Sequence, residues 1–372
     1  MVWSWILSLK NHDWVLNGVS CVVICIGLLS LFSAGTDQFY KQLIWIFLGG
    51  ILFLVVSSLD YRIFSAHFFP ALALYLVSVL GIVAVDLVGI TVRGSERWID
   101  TGLFLIEPVE PLKIALILIL AKYFSVRNRE VHKARNVIVP VIYFFIPAFL
   151  VFLQPDLGSL IVLFGIWLGM VIVAGTKIRH SFVIVLGGIS LSVIAWLFFL
   201  YDYQKERIIS FLNPSLDPLG SSYNAIQSVI TVSSGGWWGK GLGQGTQSQL
   251  GFLPEATTDF IYAAIVEEMG VIVGCLIIVL FCVIVWRLCR IALRARSNFA
   301  RIAVFGVALL IAIQAGFNIG MVVGLLPITG LTLPLMSYGG SSMVTICVAL
   351  GIAQSVHRNS YVEYEKTVVA LE

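Results

Sequence analysis

Apolar runs long enough to cross a lipid bilayer follow one another along almost the whole chain, and no other property restricts its folding as tightly. Runs of roughly 17 to 25 residues can be read at about 14–33, 43–59, 68–90, 108–124, 137–153, 157–175, 181–200, 260–286, 301–325 and 340–356. Apolar runs of that length are expected to be membrane-spanning helices. The expectation is an all-α polytopic membrane protein of about ten transmembrane helices, forming a single domain over residues 1–372. With 59% hydrophobic and 12% charged residues, the chain has too little polar surface for a water-soluble globule. One long polar insertion, about 201–259, separates the seventh run from the eighth. No small-residue cleavage site follows Cys21–Leu31, so the first run reads as a retained anchor.

Basic residues orient the bundle. Lys122, Arg127, Arg129, Lys133 and Arg135 fill one short connection, and Arg287, Arg290, Arg294, Arg296 and Arg301 fill another. Arg62, Lys177, Arg179 and Arg358 mark further turns on the same side. Lys41, Arg93, Arg97, Lys205, Arg207 and Lys240 are the chief ones opposite. The positive-inside rule then places both termini in the cytoplasm and the 201–259 loop outside. The net charge of +3 is a topology signal and carries no nucleic-acid footprint. Cys21, Cys25, Cys275, Cys282, Cys289 and Cys347 contain no CxxC pair and read as packing residues. The histidines scatter over the cytoplasmic side, and no metal ligands are assigned.

Leu253 to Glu268, LPEATTDFIYAAIVEE, is the segment richest in chemistry. Glu255 and Asp259 precede the eighth apolar run, and Glu267 and Glu268 lie within it. Ionised groups at membrane depth are costly and persist where they line a polar cavity or do chemistry. Asp259, at the expected mouth of the helix, is the candidate reacting group. Thr257-Thr258-Asp259 also has the look of a helix N-cap, and a carboxylate there complements the helix dipole. Glu267 and Glu268 would stand roughly 12–13 Å along the helix from Asp259 at 1.5 Å per residue, below the interface. Lys113, three positions after Glu110 and on its helix face, is the cation the sequence offers them.

Two further outer segments stand out. SGGWWGKGLGQGTQ invites a phosphate-loop reading, yet Lys240 is followed by Gly241 where Ser or Thr is needed. A weaker expectation survives, that bare amides with Lys240 contact a pyrophosphate, while Trp237 and Trp238 dip into the headgroup layer. In PLMSYGGSS, Gly339 and Gly340 interrupt the apolar pattern where a polar ligand can approach. The candidate substrate-contacting residues are Arg97, Glu110, Lys113, Lys240, Glu255, Thr258, Glu267, Glu268, Ser337 and Gly339, with Asp259 catalytic.

The outer segments resemble the SEDS family (shape, elongation, division, sporulation). The resemblance runs through GSERWIDTG (94–102), EPVEPLK (107–113), LQPDLGS (153–159), DPLGSSYNAIQS (217–228), SSGGWWGKGLGQGTQSQL (233–250), LPEATTDFIYAAIVEE (253–268) and NIGMVVGLLPITGLTLPLMSYGGSS (318–342). The compact length is similar to the elongation branch rather than the division branch. Three departures are visible: Glu107-Pro108-Val109-Glu110 where the family often reads QPSE, Thr257 where a histidine is usual, and Gly251 where many members carry an acid.

The resemblance implies a peptidoglycan polymerase of the bacterial inner membrane. Such an enzyme joins lipid II, the undecaprenyl-pyrophosphate-linked disaccharide pentapeptide, into glycan strands at the outer leaflet and releases undecaprenyl pyrophosphate. It maps the catalytic aspartate onto Asp259, the intramembrane acid and lysine onto Glu110 and Lys113, and the acid of the Pro-Glu pair onto Glu255. It also implies divalent-cation dependence (Mg2+ or Mn2+), a class B penicillin-binding protein transpeptidase as partner, and other elongation-complex membrane proteins alongside. Two other functions are weighed against it: a lipid II flippase, motivated by buried Glu267, Glu268 and Lys113, and a non-catalytic scaffold for wall synthesis.

Overall fold

The computed structural model describes residues 11–92, 95–100, 102, 104–127, 135–176, 186–188, 190, 193, 196–198, 202–218, 220 and 222–369. The seventh run, 181–200, lies largely outside the described residues, as do Arg93, Arg129, Lys133, Lys177 and Arg179 of the charge count. The rest is a polytopic all-α membrane fold. Its first half comprises α1 (Trp14–Ala34), α2 (Thr36–Ser58), the short α3 (Arg62–Ala66), α4 (Phe69–Val88), α5 (Val109–Val126), α6 (Arg135–Leu153) and α7 (Leu157–Val173). Then come α8 (Asp202–Leu212), α9 (Tyr223–Ser234), α10 (Thr246–Gln249), α11 (Ile261–Met269), α12 (Val271–Arg294), α13 (Asn298–Val322) and α14 (Gly340–Val369).

Several starts are encoded locally. Asp13 accepts from the Leu16 amide to cap α1, Asp156 from Ser159 to cap α7, and Ser297 from Ala300 to cap α13. Among the described residues, 14–34, 37–58, 271–294, 298–322 and 340–360 are apolar and long enough to span. Helix α5 carries three charges, Glu110, Lys113 and Lys122, and is nevertheless buried from Val109 to Ala121 apart from Pro111. It packs against α4, α7 and α13 as the central post of the bundle.

Contacts fix two ends. At one, Arg287 Nε and Nη2 reach Asp13 Oδ2 at 3.0 and 2.5 Å, and the Gln354 amide donates to the Asp13 carbonyl at 3.1 Å. Arg287, Arg290, Arg294, Arg301 and Arg358 all belong to this basic end. At the other, the Gly243 amide donates to Ser33 Oγ (2.9 Å), the Glu107 amide to Ser341 Oγ (3.1 Å) and the Tyr338 amide to the Thr257 carbonyl (2.9 Å). The three outer segments thus meet at one end of the bundle.

Four expectations change. The eighth run is not one helix: Gly270, at φ 87° and ψ 166°, separates α11 from α12, and α12 carries the span. An added Cβ at Gly270 would collide with the Trp237 carbonyl, so the break is held by close backbone packing. Second, the 201–259 insertion contains α8, α9 and α10. Third, residues 90–106 form a small antiparallel sheet of β1 (Ile90–Val92), β2 (Ser95–Asp100) and β3 (Leu105–Ile106), with Ile90 opposite Trp98 and Asp100 opposite Leu105. Fourth, Cys347 is the buried cysteine, Cys289 is half-buried, and Cys21, Cys25, Cys275 and Cys282 face outward from α1 and α12.

Candidate active site

Asp259 closes the turn before α11. The N-cap of that helix is Phe260, which offers no side-chain cap, so Asp259 precedes the cap position instead of filling it. Its backbone carbonyl accepts from Asn318 Nδ2 at 2.8 Å, and the same amide donates to the Leu331 carbonyl at 2.6 Å. A Cβ at Gly330 would stand 3.5 Å from Asp259 Oδ2, which sets the 326–335 loop beside the carboxylate. Asp259 is half-buried.

The turn is built from predicted residues. Glu255 adopts φ 56°, a left-handed conformation uncommon for a side-chain-bearing residue, and its carboxylate accepts from Thr258 Oγ1 at 2.9 Å. Ser337 Oγ donates to the Thr258 carbonyl at 2.5 Å and accepts from the Leu333 amide at 2.8 Å. The Gly339 amide donates to Gln42 Oε1 of α2 at 3.3 Å. These contacts tie Glu255, Thr258, Asp259, Ser337 and Gly339 into one neighbourhood.

Glu267 and Glu268 belong elsewhere. Glu268 accepts from Ser33 Oγ at 2.6 Å and from Gln249 Nε2 at 2.8 Å, which puts it level with the last turn of α1. Asn318, which holds Asp259, lies a turn inside the end of α13. The two glutamates therefore stand at the mouth and Asp259 stands deeper, the reverse of the expected order, because α11 returns toward the surface before Gly270. Glu267 is fully buried and accepts from Lys240 Nζ (2.8 Å), the Gln247 amide (2.9 Å), and the Ser248 amide and hydroxyl (3.0 and 2.9 Å). Burial acts to raise its pKa, but the bonds from Gln247, Lys240 and Ser248 overcome it and hold the carboxyl at about 2. The amides of Lys240 and Gly241 donate to the Glu267 and Glu268 carbonyls. Two amides of the glycine-rich segment and its lysine thus bond α11, the lysine expected at a pyrophosphate being paired with Glu267.

Lys113 pairs within its own helix, 2.8 Å from Glu110 Oε1, and not with Glu267 or Glu268. Both are buried. Arg97, on β2, lies 3.2 Å from Asp156 Oδ1 and donates to the Pro155 carbonyl at 3.2 Å. Glu107, just before α5, completes the group. Its carboxyl is pushed up to about 8, first by burial and then by the neighbouring Glu110 and Asp156 charges. Loop 326–342 also reaches this second cluster, since the Glu107 amide bonds Ser341 and a Cβ at Gly158 would meet the Thr329 carbonyl.

Asp156, Glu107, Asn318 and Gln42 were absent from the predicted set. The D-x-x-S spacing of Asp156 and Ser159 signals a helix cap, but nothing in it announces Arg97 as partner. No signal pairs Asn318 with Asp259.

A family model described as "Cell cycle protein", covering FtsW, RodA and SpoVE, matches residues 14–362. The chain belongs to the FtsW/RodA/SpoVE family. This bears out the SEDS resemblance. Among family members, stage V sporulation protein E of Bacillus subtilis (strain 168) is 38% identical over 362 residues, 94% of this chain and 98% of that protein. Peptidoglycan glycosyltransferase MrdB of Escherichia coli (strain K12) is 37% identical over 312 residues, 83% of each chain. The crystal structure of Thermus thermophilus rod shape determining protein RodA superposes with a TM-score of 0.71 at 27% identity, covering 94% of this chain and 98% of that one. A chain from a structure described as "Structural coordination of polymerization and crosslinking by a peptidoglycan synthase complex" gives 0.79 at 29% identity, with the same coverage.

Proposed function

We propose that this FtsW/RodA/SpoVE-family chain polymerises lipid II at the periplasmic face of the bacterial inner membrane, with Asp259 as general base. Family membership, with curated relatives named peptidoglycan glycosyltransferase, makes the chain a glycosyltransferase. The observation that carries the mechanism is the setting of Asp259, a half-buried carboxylate held by its backbone at the end of the bundle where all three motif segments converge.

The reaction joins the 4-hydroxyl of an N-acetylglucosamine to C1 of an N-acetylmuramoyl pyrophosphate. A carboxylate is too weak a base to ionise an alcohol beforehand. Asp259 accepts the proton as the C1–O bond to pyrophosphate loosens into an oxocarbenium-like state, a contribution of about 10²–10⁴-fold. Attack opposite the leaving group inverts the anomeric centre, so a second carboxylate nucleophile is unnecessary. The departing pyrophosphate carries growing negative charge, and the buried cations Arg97 and Lys113 are proposed to meet it. Buried Glu110 Oε2, Asp156 Oδ2 and Arg97 Nε have no protein partner among the described residues, so this cluster retains bonding capacity for a polar ligand.

The donor set does not fit a resident divalent cation. Glu110 and Asp156 each carry their own basic partner, burial and the neighbouring Glu110 and Asp156 charges push the Glu107 carboxyl up, and no group of three or more His, Cys, Asp or Glu among the described residues is disposed to hold a metal. The steps above therefore use the chain's own charges.

The likeness to RodA supports a role in elongation, and the likeness to a chain of a peptidoglycan synthase complex supports a class B penicillin-binding protein as partner. Depleting the protein separates the roles: rounded cells mark elongation, and filaments mark division. For the activity itself, purified Asp259→Asn protein given labelled lipid II should fold and make no glycan chains. Normal polymerisation by that variant would remove Asp259 from the mechanism, and flipping in liposomes without polymerisation would establish the flippase.

A further inference from the structure

Helix α13 is apolar almost throughout, yet it buries two amides completely, Gln314 and Asn318. They are four residues apart and so share one helix face, with Cβ atoms about 5–6 Å from each other. The orientation of Asn318 is fixed by chemistry. Its contacts at 2.8 and 2.6 Å are both carbonyl oxygens, of Asp259 and Leu331, so the group facing them must be the NH2. Its Oδ1 then points away. That oxygen, together with Oε1 and Nε2 of Gln314, is buried with no protein partner among the described residues.

Three unpaired amide atoms in one apolar interior are costly, about 1–3 kcal/mol each. The neighbours along the helix, Ile311 and Ala315, offer no polar group. Native interiors resolve such groups with ordered water that makes two to four bonds. A water bonded at about 2.8 Å to each of two amide atoms, with its bonds near the tetrahedral angle, bridges groups about 4.5 Å apart, within reach of two side chains one turn apart on the same face.

We infer that Gln314 and Asn318 share a buried water, and that this pair positions the backbone of the Asp259 turn for polymerisation. The inference rests on Asp259 being the base. The chain of bonds has a direction: Gln314 Nε2 donates to the water, the water donates to Asn318 Oδ1, and Asn318 Nδ2 donates to the Asp259 and Leu331 carbonyls. A flip of the Asn318 amide would set its oxygen against two carbonyl oxygens. The two carbonyls therefore set the rotamer, the water satisfies the oxygen left on its far side, and that rotamer holds α11's entry against loop 326–335. Both amides are positioning residues, since neither touches the reacting atoms.

Gln314→Met matches the side chain in volume and removes its polarity. The full-length protein carrying it should keep its thermal midpoint while kcat for glycan polymerisation falls about 10-fold, with the half-saturating lipid II concentration unchanged. Asn318→Asp removes both donors and should lower kcat about 100-fold, the scale of an ångström-sized misplacement. A density map of the parent protein should show the bridging water, and a map of Gln314→Met should lack it. Parent-like kcat in Gln314→Met, loss of activity only in step with loss of thermal midpoint, or a direct Gln314–Asn318 bond with no water would each overturn the inference. Asp259→Asn is run beside them. If it is inactive while Gln314→Met is normal, this inference alone falls; if it polymerises, the assignment of the base falls instead.

Discussion

Lys240 Nζ stands 2.8 Å from Glu267 Oε1, joining the glycine-rich outer loop to the last turn of α11. The carboxylate also takes bonds from Gln247 and Ser248, so one buried side chain gathers the loop from 240 to 248. Glu267→Gln weakens the Lys240 and amide bonds together and should destabilise the loop by about 2 kcal/mol or more. Limited proteolysis should then cut within 236–252 where the parent resists. Because the carboxyl is held near 2, the parent's advantage is fully present above the ordinary value of 4.5 and disappears as pH falls through about 2.

Glu107 predicts the opposite pH dependence. Its raised value of about 8 means that the folded protein keeps the proton while the unfolded chain releases it near 4.5. Its contribution is present below 4.5 and is lost as pH rises through 8. Glu107→Gln places the family's common residue there and cannot ionise. Its thermal midpoint should gain on the parent's progressively between pH 4.5 and 8 and hold that margin above.

Arg97 and Asp156 test a buried pair. Arg97→Met leaves Asp156 uncompensated and should cost about 3–5 kcal/mol. Adding Asp156→Asn should recover most of that stability in chemical denaturation without recovering polymerisation, since the cation proposed for the pyrophosphate is still missing.

Gly270 tests the break between α11 and α12. Alanine there meets both the φ of 87° and the Trp237 carbonyl. Gly270→Ala should cost at least about 2 kcal/mol and lower the yield of folded, detergent-extracted protein. Gly18, on an open face of α1 with nothing near a Cβ, should accept alanine without loss.

Hydropathy made most of the bundle legible, because a bilayer permits few alternatives to a helix. The sidedness of Glu107–Lys113, Leu253–Glu268 and Leu326–Ser342 followed from arginine and lysine counts, and the contacts of Ser341, Tyr338 and Gly243 join those segments. The Gly270 break was hidden because a single glycine between apolar residues is tolerated in a helix, and the Trp237 carbonyl that leaves no room for a side chain there is remote in sequence. That break inverted the order of Asp259 and Glu268 along the bundle. The pairing of Lys240 with Glu267 was missed for a similar reason: it depends on how a loop folds back. Asn318 lies inside the 301–325 apolar run, and its role depends on the Asp259 and Leu331 carbonyls, which no local pattern brings to it.

Loop 326–342 meets the Asp259 turn directly through Gly330 and Ser337 and by way of Asn318 through Leu331, and the Glu107 cluster through Ser341 and Thr329. One strip of chain is therefore a common wall of the Asp259 turn and the Glu107 cluster. Changes within it should not add independently to changes at Asp259 or Glu110, and in the proposed site whatever presses on one side of that wall is felt on the other.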